Sequence, residues 1–145
     1  MTKIILISHG DLSKAMAKSA QMITGEKDNL FYYGLYPGEH PSEMINKIKN
    51  EAENNKENDF IIIADICGGS VCNAAMELVE LKNVKVLSGM NLALVIDIIL
   101  ETYTSDNELH KKINNAKDGI KLFSNAENIK QIQDKNEFFF ESNYI

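Results

Sequence analysis

Apolar residues along the chain fall into two rhythms that take turns. Residues 4–7 and 60–64 are short unbroken apolar runs, of strand length and without the alternation of a strand that has one wet face, and residues 84–87 read as a further strand. Runs of that kind suit a parallel sheet covered by helices on both sides. Between them the spacing changes. Leu12, Ala15, Met16 and Ala20 fall roughly on one face of a helix over about residues 12–23, which Gly25 stops. Residues 29–35, rich in rings at Phe31, Tyr32 and Tyr33, read as a second strand. Pro41 stands at the first position of the next helix, spaced by Met44, Ile45, Ile48 and Ala52. A helix over about residues 71–81 follows the third strand. Residues 92–103 follow the fourth as a helix that is apolar nearly all round and therefore buried. Ser105-Asp106-Asn107-Glu108 forms a capping box for a last helix that runs to about residue 122.

Four β–α units in succession predict an α/β fold: an open, mostly parallel four-strand sheet with helices on both faces, doubly wound or flavodoxin-like. Right-handed crossovers then bring every strand-to-helix loop to one edge. That edge collects His9-Gly10, residues 36–39, residues 65–70 and residues 88–91. The pattern breaks after residue 122. Residues 126–132 are a candidate short strand, and Phe138, Phe139 and Phe140 sit between Glu137 and Glu141. So much ring surface is expected to pack on its own domain or on a neighbour. The expected division is a domain over residues 1–122 and a tail over residues 123–145.

At 145 residues the chain suits one domain with a sizeable core. Its 44% hydrophobic and 25% charged residues are ordinary for a globular protein. No stretch approaches the roughly 18 apolar residues of a membrane span. Met1-Thr2-Lys3 runs straight into a strand instead of a secretory leader, so a cytoplasmic location is expected. The formal net charge of -6, with dispersed lysines and no basic stripe, argues against nucleic acid as a partner. It favours encounter with a basic protein. Cys67 and Cys72 flank a Gly-Gly-Ser turn. A reducing compartment disfavours a disulfide, and two cysteines without a nearby histidine or a second pair make a poor zinc signature.

Three loops of that edge carry chemistry together. His9 stands where a central strand stops. A neutral imidazole is a nucleophile through one ring nitrogen when the other holds the proton against an acceptor. Asp65, at the end of the strand expected beside the first, is the candidate acceptor; it would fix the tautomer and steady the imidazolium formed on attack. Gly68 and Gly69 let successive backbone N–H groups face inward, and Ser70 can cap a helix or donate to an anion. The plainer alternatives are a surface histidine, a capping aspartate and a common sharp turn. The Gly-Lys-Ser/Thr end of a nucleotide phosphate loop is missing, as is Gly-x-Gly-x-x-Gly. His40 and His110 read as ordinary surface residues, and Tyr32, Tyr33, Met44, Met76 and Met90 as packing.

Taken in order, these pieces resemble the IIA domain of the mannose (mannose–fructose–sorbose) family of the bacterial phosphoenolpyruvate-dependent sugar phosphotransferase system. Ser8-His9-Gly10, Tyr36-Pro37-Gly38-Glu39, Asp65-Ile66-Cys67-Gly68-Gly69-Ser70-Val71-Cys72-Asn73 and Gly89-Met90-Asn91-Leu92 each match a family loop, and the likeness covers about residues 2–122. The resemblance implies that His9 is phosphorylated through Nε2 by the phosphocarrier protein HPr. It implies that Asp65 holds the opposite ring nitrogen and that Ser70 lines the phosphoryl site. Gly10, Gly38, Gly68, Gly69 and Asn73 then belong to the phosphoryl-binding loops. It further implies transfer to a histidine on a IIB domain or subunit, with membrane permease subunits involved only indirectly. No metal or other cofactor is implied for this step, and a homodimer that exchanges a C-terminal strand is. Val71, Cys72 and Ala93 depart from the family pattern, which has proline, a bulky apolar residue and proline there. They touch loop shape and leave the nucleophile, the acid and the hydroxyl intact. With no IIB domain in the sequence, a free-standing subunit or one member of a multi-chain set is expected.

Three rival readings share some of these residues. A phosphoryl carrier feeding a dihydroxyacetone kinase resembles the same fold, but it usually has serine at the position of Gly10 and lacks the double glycine. A hydrolase built on Ser70, His9 and Asp65 lacks the Gly-x-Ser-x-Gly elbow and has the wrong chain order. A regulatory module that senses phosphorylation state would share His9.

Overall fold

A computed structural model describes residues 1–102 and 105–125. Four strands, β1 (Thr2–His9), β2 (Leu30–Leu35), β3 (Asp59–Ala64) and β4 (Val84–Leu87), form one sheet in the order β2-β1-β3-β4. Every pairing is parallel. The helices are α1 (Leu12–Thr24), α2 (Pro41–Asn54), α3 (Ser70–Ala75), α4 (Leu92–Leu100) and α5 (Asp106–Asp118). The predicted open parallel four-strand sheet with flanking helices is the observed architecture. The expected strand at 126–132 and the rings at 138–140 lie outside the described residues.

Successive side chains of each strand point to opposite faces, and the core divides accordingly. Ile4, Leu6, Ile61 and Ile63 pack with Ala17 and Ala20 of α1 and with Leu94, Val95 and Ile98 of α4. Ile5, Ile7, Ile62 and Phe60 pack with Met44, Ile45 and Ile48 of α2 and with Val71 and Ala75 of α3. β1 and β3 are thus sealed on both sides, which is why their apolar runs do not alternate. β1 leads through α1 to β2 on one side, while β3 pairs with it on the other. The switch point, where ligands gather in open α/β sheets, therefore lies between the ends of β1 and β3.

Three helix ends differ from expectation. The helix expected over 71–81 is α3 followed by a 3₁₀ turn, Met76–Glu80, a tightening common at helix ends. The helix expected over 92–103 stops at Leu100, and the Thr102 hydroxyl donates to the Ile98 carbonyl at 3.1 Å, taking a group that helix continuation would use. α5 ends at Asp118, before Gly119 and not at residue 122; Ile120 and Leu122, which prolonged the apolar pattern, are exposed. Ser105 caps α5 as expected, its Oγ accepting from the Glu108 N–H at 3.3 Å, while the Glu108 carboxylate accepts from Lys111 Nζ at 3.3 Å. α4 and α5 are pinned by the buried Lys112, whose Nζ donates to Asp97 Oδ1 at 2.9 Å and to the Asp97 carbonyl at 3.1 Å. Among the described residues no helix is long and apolar enough to cross a membrane.

Candidate functional site

His9 is the last residue of β1 and pairs in register with Leu35 of β2. Asp65 follows β3 directly. Because β3 lies beside β1, the two meet over the switch point. One carboxylate oxygen, Asp65 Oδ2, accepts from the His9 backbone N–H at 2.8 Å and lies 2.7 Å from His9 Nδ1. The other, Oδ1, accepts from the Ile66 N–H at 2.8 Å. A carboxylate is an acceptor only, so this contact assigns the ring proton to Nδ1. His9 Nε2 then carries a lone pair, and it lies 3.1 Å from Ser70 Oγ, whose hydroxyl donates to it.

Exposure divides the pair by role. The His9 side chain is 51% exposed and that of Asp65 only 7%. Burial pushes the Asp65 carboxyl up. The hydrogen bonds from the His9 backbone and ring and from Ile66 N–H outweigh it and hold the group below the usual carboxylate range. The acid therefore stays ionised wherever the imidazole needs orienting.

The cradle is built by the turn between β3 and α3. Gly68 has φ +82°, which a residue with a side chain adopts only with strain. Gly69 packs close: a Cβ there would stand 2.7 Å from Ile66 Cγ2 and 3.5 Å from His9 Cε1. Asn73 donates from Nδ2 to the Gly68 carbonyl at 3.2 Å, so it shapes the turn from behind. The first amides of a helix have no partner within it, and α3 begins at Ser70. Gly10 follows His9 and donates to the Leu35 carbonyl at 2.7 Å. Gly38 lies one strand away, three residues after Leu35, in a turn where Glu39 N–H donates to the Tyr36 carbonyl at 3.0 Å.

The structure thus joins His9, Asp65, Ser70 and Gly69 directly, with Gly10, Gly68 and Asn73 as neighbours and Gly38 in the adjoining loop. The remaining histidines are elsewhere. His40 caps α2, its Nδ1 accepting from the Ser42 N–H at 3.2 Å, and His110 is exposed on α5. Met44 and Met90 are core, whereas Tyr32 and Met76 are exposed. Cys67 and Cys72 are free thiols, the first exposed and the second buried, and burial pushes the Cys72 thiol up. Among the described residues no three His, Cys, Asp or Glu side chains converge as a metal site.

Two supports escaped the reading of the sequence. Ser8 Oγ accepts from the Ser13 N–H at 2.7 Å, doing the N-terminal capping of α1 from within the strand, and Ser13 Oγ donates to the Tyr33 carbonyl at 2.8 Å. The available signal was a serine in an otherwise apolar strand, since a buried hydroxyl needs a partner. The other is Tyr36, whose hydroxyl donates to Asp11 Oδ1 at 2.5 Å.

Comparison with known proteins places this geometry. Residues 3–123 match the model of the family described as PTS system fructose IIA component. The PTS system fructose-specific EIIA component of Bacillus subtilis is 28% identical over 101 residues, covering 68% of this chain and 69% of that protein. The PTS system mannose-specific EIIAB component of Escherichia coli K12 is 24% identical over 99 residues; the match covers 67% of this chain but 31% of that longer protein. Among solved structures, the PTS IIA protein associated with the fucose utilization operon from Streptococcus pneumoniae superimposes with a TM-score of 0.73 at 28% identity. That superposition covers 91% of this chain and 96% of the other.

Proposed function

The chain belongs to the PTS system fructose IIA component family, whose members are histidine phosphoryl carriers, and on that premise we propose that His9 is the residue that carries the group. The observation that supports this most is the division of the His9 ring, with Nδ1 held by Asp65 and Nε2 left as the nucleophilic end. In the forward step the Nε2 lone pair attacks the phosphorus of a donor phosphohistidine. The P–N bond to the donor ring breaks, its electron pair returns to the donor imidazole, and the new P–Nε2 bond forms. Asp65 offsets the positive charge that develops on the His9 ring. The Ser70 hydroxyl turns from Nε2 to a phosphoryl oxygen, and the unpartnered backbone N–H groups at the start of α3 supply further donors, with Gly10, Gly68, Gly69, Asn73 and Gly38 keeping the loops in shape.

The donor in this reading is HPr and the acceptor a histidine of a IIB domain or subunit, with the membrane permease acting beyond it. The family match gives no support to a role in feeding a dihydroxyacetone kinase. Labelled carrier, freed of donor and mixed with a IIB domain of this system, is expected to lose its phosphoryl group to that domain within seconds to minutes. Retention with IIB, or loss to dihydroxyacetone kinase subunits instead, contradicts the assignment.

The carrier domain in this reading is residues 1–122, and residues 123–145 join a partner subunit. β4 pairs with β3 alone among the described strands, leaving an open edge that proteins normally cover. Ile120, Leu122 and Phe123 lead away from α5 with their side chains exposed, as expected of chain that continues into an interface. Exchange of a C-terminal strand between two copies would cover both edges and bury that surface. Sedimentation of the intact protein is expected to give a dimer, and truncation at Phe123 to give monomers or aggregates. A stable 16.3 kDa species of the intact chain at micromolar concentration and above rules the dimer out.

A further inference from the structure

Asp65 holds His9 from the β3 side only. The turn that follows His9 is held from the other side by the end of β2, through three contacts. Gly10 N–H donates to the Leu35 carbonyl at 2.7 Å. The Gly10 carbonyl presses against Gly34 so closely that a Cβ on Gly34 would lie 2.3 Å from it. The Tyr36 ring folds back over the same glycine, with Cε2 and the hydroxyl 3.1 Å and 3.2 Å from that Cβ position, and its hydroxyl reaches Asp11 Oδ1 at 2.5 Å.

Asp11 stands where a helix cap is expected, yet its side chain caps nothing. Ser8 has taken that task, so the Asp11 carboxylate is left to Tyr36. Tyr36 is in turn fixed from its backbone, where its N–H donates to Glu39 Oε1 at 2.8 Å. The bond to Asp11 pushes the Tyr36 phenol up, which keeps it a proton donor through the neutral range. We infer that Tyr36 and Asp11 are positioning residues: seated on Gly34, they clamp the turn after His9 so that Nε2 meets the incoming phosphoryl group at a fixed angle. Neither side chain touches the reacting atoms. Both act through Gly10.

This inference rests on His9 as the acceptor, so its test pairs a kinetic readout with one that needs no donor. Tyr36→Phe, Asp11→Ala, Asp11→Asn and the double variant Tyr36→Phe/Asp11→Ala are compared with the natural chain. The readouts are the rate of phosphoryl acceptance at saturating phospho-HPr, the KM for that donor, and the ¹⁵N shifts of the His9 ring in the unphosphorylated protein. Tyr36→Phe and Asp11→Ala are each expected to lower the saturating rate about 3–10-fold, the scale of one ordinary hydrogen bond, and to leave KM nearly unchanged. Their His9 ring signals shift toward mixed tautomers. Asp11→Asn keeps a carbonyl acceptor and restores both readouts, and the double variant is no slower than either single one.

A change confined to KM would make Tyr36 a docking contact and overturn the inference. Equal losses in Asp11→Asn and Asp11→Ala would overturn it in favour of a charge effect. Unchanged rates and ring shifts would overturn it outright. Failure of the natural chain to take label on His9 refutes the acceptor itself, and the ring shifts still decide the clamp.

Discussion

His9→Gln is expected to abolish phosphoryl acceptance from HPr and to leave the fold intact. Glutamine replaces the ring with an amide whose nitrogen lone pair is delocalised into the carbonyl and does not attack phosphorus, so the loss is complete and not partial. The fold survives because the His9 side chain is half exposed and adds little to either core. Its backbone N–H, which donates to Asp65, is kept by any non-proline substitution. Urea unfolding of the variant is expected to match the natural chain within about 1 kcal/mol, the scale of the side-chain hydrogen bonds lost. Incorporation of label into the variant at His40 or His110 would show that the acceptor lies elsewhere.

Asp65→Ala is expected to slow acceptance by roughly 10²–10⁴-fold without abolishing it, by the logic of a triad that has lost its orienting acid. Nε2 is still present. The ring, however, no longer favours the tautomer with Nδ1 protonated, and nothing offsets the charge that develops on attack. The acid also leaves a mark on stability. Its folded pKa lies below the usual carboxylate value, so its contribution is fully present above that value and is lost as pH falls through the depressed one. Unfolding measured against pH therefore loses part of its acid-side slope in Asp65→Asn. Unchanged transfer kinetics in Asp65→Ala, with HPr in excess, would remove the role assigned to this residue.

Much of this arrangement was legible in the chain because it is set by local pattern. Unbroken apolar runs belong to strands covered on both faces, and residues 4–7 and 60–64 are the buried stretches of β1 and β3. Position at the end of such a strand brought His9 and Asp65 to one edge, and their pairing follows once β3 neighbours β1. Strand ends were less legible. β1 extends through Thr2, Lys3 and Ser8, where polar side chains hide residues that pair by their backbones. Lys3 lays its ammonium over the rings of Phe31 and Phe60, at 5.5 Å and 5.9 Å from their centroids, and pairs with Glu51. Helix ends failed where a local side-chain hydrogen bond or a glycine outweighed the apolar rhythm, as at Thr102 and Gly119. The contact between Tyr36 and Asp11 was not legible. They are far apart in sequence, and only the parallel register of β1 with β2, together with a glycine at position 34, brings them within a hydrogen bond.

Incubation of the intact protein with phosphoenolpyruvate, enzyme I and HPr, followed by ³¹P and ¹⁵N spectroscopy of the product, tests the central claim most directly. One acid-labile phosphoryl group bonded to His9 Nε2, with the proton retained on Nδ1 against Asp65, is the predicted result. A phosphoryl group on Nδ1 of His9, on another histidine, or in an acid-stable linkage to Ser70 would contradict it.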